Sequence, residues 1–460
     1  MVNTMTKIIK AGPIALLAMA GTANATQVFD LEGFGATSRS MGGTSSSHFI
    51  GNAGLVSNPA TLSMMDSNSQ LEVGLDLITT DISTSSVSSG DSADSQRSGK
   101  NRGPYFAPQL SFVSQKNQWT FGAGIYANGG LGTEFGTDSF LSKTENGTQT
   151  SFDNSSRLLV LRAPVGFSYE MTPKLTVGAS ADLVWTSLNL ELLLPASQVG
   201  ALAAGGHLTG DLVAPLAGFV GTGGAAHFSL TKDTPTGGAV DAIGLGGRLG
   251  LTYQLSDQTT LGAAYNLKTR VGDLKGSAVL SGISSTGAIL PIAGDIRIQD
   301  FEMPASLTVG MAHTFNDQWL VTADFKRVYW SDVMENIDVA FESSTGGNVN
   351  IELPHNYSDI SVFSVGTAYQ YSPDLTLRAG FSYAEQALDN RHALPIIPAY
   401  LKKHLTLGGE YRITPDSSIN LALSFGLKET LSTPSYLAGT EQLSQSHSQI
   451  NAVVSYTKRF

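Results

Sequence analysis

Arg248, Arg378 and Arg412 each carry a planar fork of N–H donors, the group best matched to a carboxylate. All three stand in segments where apolar and polar residues alternate, and each falls on the polar side. They are candidates for holding the acid group of a ligand, with pairing to acids such as Asp182 or Glu410 as the alternative. Little else in the chain looks reactive. There is no Walker loop, no His-Glu-x-x-His helix and no Gly-x-Ser-x-Gly elbow. The eight histidines, among them His48, His313, His355, His392, His404 and His447, stand singly, so no metal site is expected. Cysteine is absent, which removes disulfides, thiolate ligands and thiol nucleophiles. No cofactor and no catalytic residue is therefore expected, and the question becomes what scaffold aims these arginines.

Charged residues make up 14% and hydrophobic ones 41%, so the chain is short of charge without being greasy. A formal net charge of −11 argues against nucleic acid, since phosphate neutralisation needs a basic surface. Beyond the N-terminus no window offers the 18 or so consecutive apolar residues of a membrane helix. Instead, Leu175, Val177, Ala179, Ala181, Leu183 and Trp185 alternate with Thr176, Gly178, Ser180, Asp182, Val184 and Thr186, the period of a strand. Leu249 to Leu255 and Leu375 to Tyr383 repeat the rule with Arg248 and Arg378 on the second face. A strand of about 10 such residues suits a barrel wall in which one face meets lipid and the other the lumen.

Short turns at Gln115–Asn117, Thr172–Lys174, Ser256–Gln258, Asn316–Asp317, Ser372–Asp374 and Thr414–Asp416 alternate with seven long polar connections, near 89–103, 129–156, 191–240, 273–295, 332–358, 387–401 and 430–445. Six turns and seven loops join fourteen strands, with both termini on the periplasmic side. The expected fold is thus all-β, a transmembrane antiparallel barrel of 14 strands over residues 69–460. The last strand alternates through Ile450, Ala452, Val454 and Tyr456 and ends on Phe460, an ending suited to the closing strand of an exported barrel.

Lys7 and Lys10, the apolar run Ala11 to Ala20 and Ala23-Asn24-Ala25 have the order of a secretory signal, so residues 1–25 read as a signal peptide; a buried N-terminal helix is the alternative. The glycine-rich stretch that follows, residues 26–68, reads as a compact irregular segment, and a barrel this wide leaves a lumen for it to plug.

Gly51-Asn52-Ala53-Gly54-Leu55-Val56-Ser57-Asn58-Pro59-Ala60-Thr61-Leu62, together with Asn128-Gly129-Gly130-Leu131-Gly132-Thr133-Glu134-Phe135, Arg378-Ala379-Gly380-Phe381 and Asn390-Arg391, resembles in content and order the FadL/TodX-type family of outer-membrane transporters of long-chain fatty acids and other hydrophobic compounds. The resemblance implies an N-terminal hatch over 26–68, with Gly33, Phe34, Asn58, Pro59 and Ala60 at its heart, and location in the outer membrane of a Gram-negative bacterium. It also implies a kink of the third strand at Asn128, Gly129 and Gly130 that opens the wall sideways. An ordinary loop start is the other reading of those glycines. The apolar stretch around Leu192, Leu202 and Leu212 suits an outer capture groove, or else a short helix packing on its neighbours. In the family a cation beyond the fifth strand is associated with the ligand carboxylate; Leu188-Asn189-Leu190-Glu191-Leu192 has none.

The partners implied are a hydrophobic ligand such as a long-chain fatty acid, outer-membrane lipid, and the barrel-assembly machinery through Phe460, with the protein a monomer. Two other functions are open: an outer-membrane lipid hydrolase, which would need a serine, histidine and acid brought together, and a general diffusion porin, which would need an open lumen.

Overall fold

Alternating sequences pair edge to edge until no edge is left. The computed structural model describes residues 28–95, 105–230, 238–316, 318–433 and 442–460; the expected signal peptide, 1–25, lies outside them. Strands β1 (Ser69–Ser86), β2 (Tyr105–Lys116), β3 (Trp119–Glu134), β4 (Ser155–Thr172) and β5 (Leu175–Pro195) pair antiparallel, each with the next. The ladder continues through β6 (Val240–Ser256), β7 (Thr259–Asn266), β8 (Ser306–Asn316), β9 (Trp319–Val328) and β10 (Ile360–Ser372). It ends with β11 (Leu375–Ala384), β12 (Lys403–Thr414), β13 (Ser417–Thr433) and β14 (Leu443–Arg459). β14 pairs back to β1 from Gln70↔Arg459 to Ser86↔Leu443, and the ring closes. Closure removes the exposed edges that an open sheet would offer to other chains.

Period-two alternation sorts the faces. On β6, Leu249, Leu251, Tyr253 and Leu255 are exposed on the outside, whereas Arg248 and Thr252 are buried toward the lumen. Aromatic rings gather outside near the turns: Trp119 lies 4.4 Å from Tyr169 and 5.7 Å from Phe121, and Trp319 lies 4.7 Å from Tyr369, centroid to centroid. This is the girdle expected where hydrocarbon gives way to head groups. Among the described residues no helix is long and apolar enough to cross a membrane.

Among the described residues the sheet has twenty-two strands, more than the fourteen expected for the barrel. The difference lies in the long connections. Leu274–Ile283, Ile289–Gln299, Asn336–Ser343 and Asn348–Pro354 form hairpins where polar loops were expected, and shorter strands join them. They hold because their inward positions are apolar: Leu280, Ile296, Ile298, Phe341 and Val349 are buried together in one core above the ring. The stretch 191–240 likewise forms two helices, α1 (Ala196–Ala204) and α2 (Val213–Val220), which tuck Leu202, Leu216 and Val220 inward.

Residues 28–68 run inside the ring as a short helix, Gly35–Ser40, and two 3-10 turns, Ala53–Val56 and Pro59–Met64. Arg39, only 1% exposed, donates from Nη2 to Glu32 Oε1 (2.7 Å) and from Nη1 to Asp76 Oδ1 (2.6 Å) of β1. Asp324 of β9 accepts from the backbone N–H groups of Ser45 (2.8 Å) and Ser46 (3.0 Å). Charge-assisted bonds of this kind replace the water lost on burial. The wall admits the segment closely because Gly178 and Gly250 face it: a Cβ on either would collide with Ala60 N or Asn58 Oδ1.

Candidate ligand passage

Two cavities run inward from the crown that the hairpins and helices form above the ring. The outer one, about 70 Å³, is lined by Leu188, Leu190, Leu192 and Leu194 of β5, by Phe29, Phe301, Ile298 and Val339, and by Leu131 and Leu158. Its one histidine, His355, is held neutral: burial lowers its pKa to about 4 despite the Leu353 carbonyl that its Nδ1 faces at 3.0 Å. An apolar surface of this shape favours molecules that gain about 25 cal/mol for each Å² taken out of water.

The inner cavity, about 510 Å³, shares Leu131 and Leu158 with the outer one and adds Ile78, Ile82, Leu159, Ala107 and Phe106. Its far end is polar, with Glu32, His404, His447 and Gln449. Burial alone would raise the pKa of Glu32, but the Arg39 guanidinium overrides it and holds the carboxyl at about 2.

This cavity meets a split in the wall. β1 and β2 pair up to Ile78↔Tyr105, and β3 and β4 up to Glu134↔Ser155, yet β2 and β3 pair only from Lys116↔Trp119 to Gln109↔Tyr126. Past Tyr126, β3 leaves β2 and makes a bulge against β4, where Ala127 faces Leu161 and Gly129 faces Val160, leaving Asn128 extra. The inner segment takes the vacated ladder positions. The N–H of Gly130 donates to the Phe29 carbonyl (2.9 Å), that of Leu31 to the Asn128 carbonyl (3.4 Å), and Asn128 Nδ2 to Asp30 Oδ1 (3.1 Å). Only glycine fits here: a Cβ at Gly129 would overlap the Phe29 carbonyl, and one at Gly130 the Leu158 carbonyl. Phe106, beside the split, is 61% exposed.

Of the expected site residues, Leu192 lines the outer cavity, and Gly129 and Gly130 line the inner one. Leu202 is the buried residue of α1, and Leu212 packs where a side chain on Gly347 would stand, so both shape the crown rather than the passage. Arg248 donates from Nη1 to Asp182 Oδ2 (2.6 Å), which Arg162 Nη1 also reaches at 3.0 Å. Arg378 bonds Glu410 Oε2 and Asn420 Oδ1, both at 2.9 Å. Arg412 is exposed at the opposite mouth, in a polar cavity of about 240 Å³ with Arg378 and Glu410. Arg248 thus stands apart from the other two, and none of the three lines either apolar cavity. In the inner segment, Asn58 Nδ2 donates to the Ser46 (2.5 Å) and Leu251 (3.2 Å) carbonyls and its Oδ1 accepts from the Ala60 N–H (3.1 Å), with Pro59 opening the turn. Phe34 packs on the cluster around Leu55, and Gly33 sits against Ser38 and Gly43.

Sequence reasoning missed Leu131, Leu158, Ile78 and His404. A signal was present: Leu158, Val160, Ile78 and Ile82 put apolar groups at the lumen-facing parity of β4 and β1, where polar ones are the rule.

Residues 14–457 match the family of outer membrane protein transport proteins (OMPP1/FadL/TodX). The chain belongs to this family. With that membership comes location in the outer membrane of a Gram-negative bacterium. Among solved members, the toluene transporter TodX of Pseudomonas putida is 63% identical over 94% of this chain and 99% of its own, with a TM-score of 0.86. The Ralstonia pickettii toluene transporter TbuX is 45% identical over 94% and 99%, with a TM-score of 0.79. Outer membrane protein P1 of Haemophilus influenzae is 24% identical over 70% of this chain, and the match spans 65% of that protein's length.

Proposed function

We propose that the chain carries small, largely apolar molecules, monoaromatic compounds first among them, through the outer membrane and releases them sideways into the bilayer, without catalysing a reaction. The observation that carries this is the common wall of the two cavities: Leu131 and Leu158 belong to both, so a largely apolar lining leads from the crown toward the split beside Phe106. A greasy molecule loses about 0.8 kcal/mol per methylene on returning to water, which favours a route that stays dry. The family's solved toluene transporters support the choice of cargo.

In this reading the fourteen strands β1 to β14 are the membrane wall and residues 26–68 are a hatch, with Gly33, Phe34, Asn58, Pro59 and Ala60 holding it in the lumen. Asn128, Gly129 and Gly130 form the lateral opening, and Leu192 begins the capture surface. Because Arg248 and Arg378 already serve Asp182 and Glu410, an uncharged cargo is favoured over a long-chain fatty acid. The protein works as a monomer among outer-membrane lipids, and Phe460 is its handle for the barrel-assembly machinery.

The test is uptake of labelled toluene by cells with and without the protein. Slower uptake without it is expected; equal rates overturn the proposal. Phospholipid turnover by the purified protein, abolished by one serine or histidine substitution, would point to a hydrolase. Steady ion conductance in planar bilayers would point to a porin.

A further inference from the structure

The inner cavity is not uniformly apolar, and the asymmetry has a chemical meaning. Its wall is mostly hydrocarbon, interrupted by Asp30, Tyr105 and Arg157, while one end presents His404 and Gln449 beside Glu32. His447 at this end is satisfied: its Nδ1 lies 2.8 Å from the Pro398 carbonyl, and its Nε2 lies 3.1 Å from Gln449 Nε2. His404 differs. Its residue is only 6% exposed, it lines the cavity, and among the described residues neither ring nitrogen makes a hydrogen bond. Nor are those nitrogens sealed in protein as those of His48 are; they open onto the cavity space. The charge of Glu32 acts on this ring, but a buried polar group without a hydrogen-bond partner is costly, and one facing a ligand cavity gains when a ligand supplies it.

We propose that His404 is a specificity-determining residue that recognises a hydroxyl substituent, so that monoaromatic alcohols of the phenol type are a preferred cargo class over the bare hydrocarbons. The inference rests on the transport reading above. The ring of such a molecule lies against Ile78, Leu131 and Leu158, and its hydroxyl meets the imidazole. Ser156 and His355 stand in the wall of the outer cavity but present no polar surface to it, so discrimination falls to the inner one. A carboxylate is disfavoured at this end because Glu32, kept ionised by Arg39, stands beside it. A hydroxyl carries no such repulsion, and as both donor and acceptor it suits either imidazole tautomer.

The experiment is calorimetric titration of the full-length protein in detergent with toluene, p-cresol and 4-methylanisole, which share one ring size and differ in the hydroxyl and its proton. One neutral hydrogen bond should make the preference for p-cresol over toluene about three- to tenfold larger in the wild type than in His404→Phe. His404→Gln, which keeps a hydrogen-bonding group, should restore part of it. Should the phenylalanine variant not fold, the wild type decides alone, because p-cresol must then bind more tightly than 4-methylanisole. An unchanged preference in His404→Phe, or equal wild-type affinity for p-cresol and its methyl ether, overturns the proposal and leaves toluene transport standing. Wild-type binding of none of the three overturns the transport reading as well.

Discussion

The backbone N–H of Gly130 donates to the carbonyl of Phe29 at 2.9 Å, so a residue of the wall completes its ladder with a residue of the inner segment instead of with β2. The split in the wall and the seating of the inner segment are one structural event.

Gly129→Val places a side chain where the Phe29 carbonyl lies. The strand and the inner segment have to part, at an overpacking cost of about 1–3 kcal/mol. A lower thermal unfolding midpoint by circular dichroism, together with altered toluene uptake, is expected. An unchanged midpoint would show that Phe29 is not held where β3 bends.

Leu158→Asn sets an unpartnered amide into the stretch common to both cavities. Exposing passing hydrocarbon to it should slow toluene uptake roughly tenfold, as expected for a polar group worth about 1–3 kcal/mol left unpaired. Leu255→Asn, on the exposed outer face, is the control and should leave uptake unaltered.

Gly250→Val drives a side chain into Asn58 Oδ1, while Asn58→Ala removes the two bonds that Nδ2 makes to the Ser46 and Leu251 carbonyls. Both should loosen the inner segment. Planar-bilayer recordings are expected to show higher conductance for each variant than for the parent; equal conductance would mean that this turn does not seal the lumen.

Acid should weaken the fold through His48 and His355. Burial holds His48 down to about 3, with Arg378 adding to it, and His355 down to about 4. An unfolded histidine takes up its proton near pH 6.5, before the folded one can, so stability is level above that value and falls as pH drops from 6.5 toward 4 and 3. For His355 the full loss is about 3 kcal/mol. Glu32, lowered to about 2, acts in the same direction at lower pH: its contribution is present above 4.5 and is lost as pH falls through 2. His48→Leu should therefore flatten the decline of the unfolding midpoint between pH 6.5 and 4; an equally steep decline in that variant would remove His48 from the account.

Much of this was legible because strand geometry is local. The pleat sends successive side chains to opposite faces, so the exposure of Leu249 and Leu251 and the burial of Arg248 and Asp182 follow from period two alone. The turn residues mark where each hairpin reverses, and the Asn58-Pro59-Ala60 turn carries its own cap within three residues. The crown was misread as polar loop because its strands are stable only against one another. Leu280, Ile296 and Phe341 come from three separate hairpin strands, and no one of them announces a core.

The sequence by itself therefore determined the strands of the ring, their faces and the family to which the chain belongs. Tertiary structure alone decided what depends on residues meeting across a closed ring. Asp182, rather than any ligand, takes Arg248; Phe29 completes the ladder that β2 abandons; and Ile78, Leu158 and His404, from strands far apart in the chain, enclose one cavity. The reason is physical: alternation fixes which way a side chain points, but only closure of the barrel fixes what it points at.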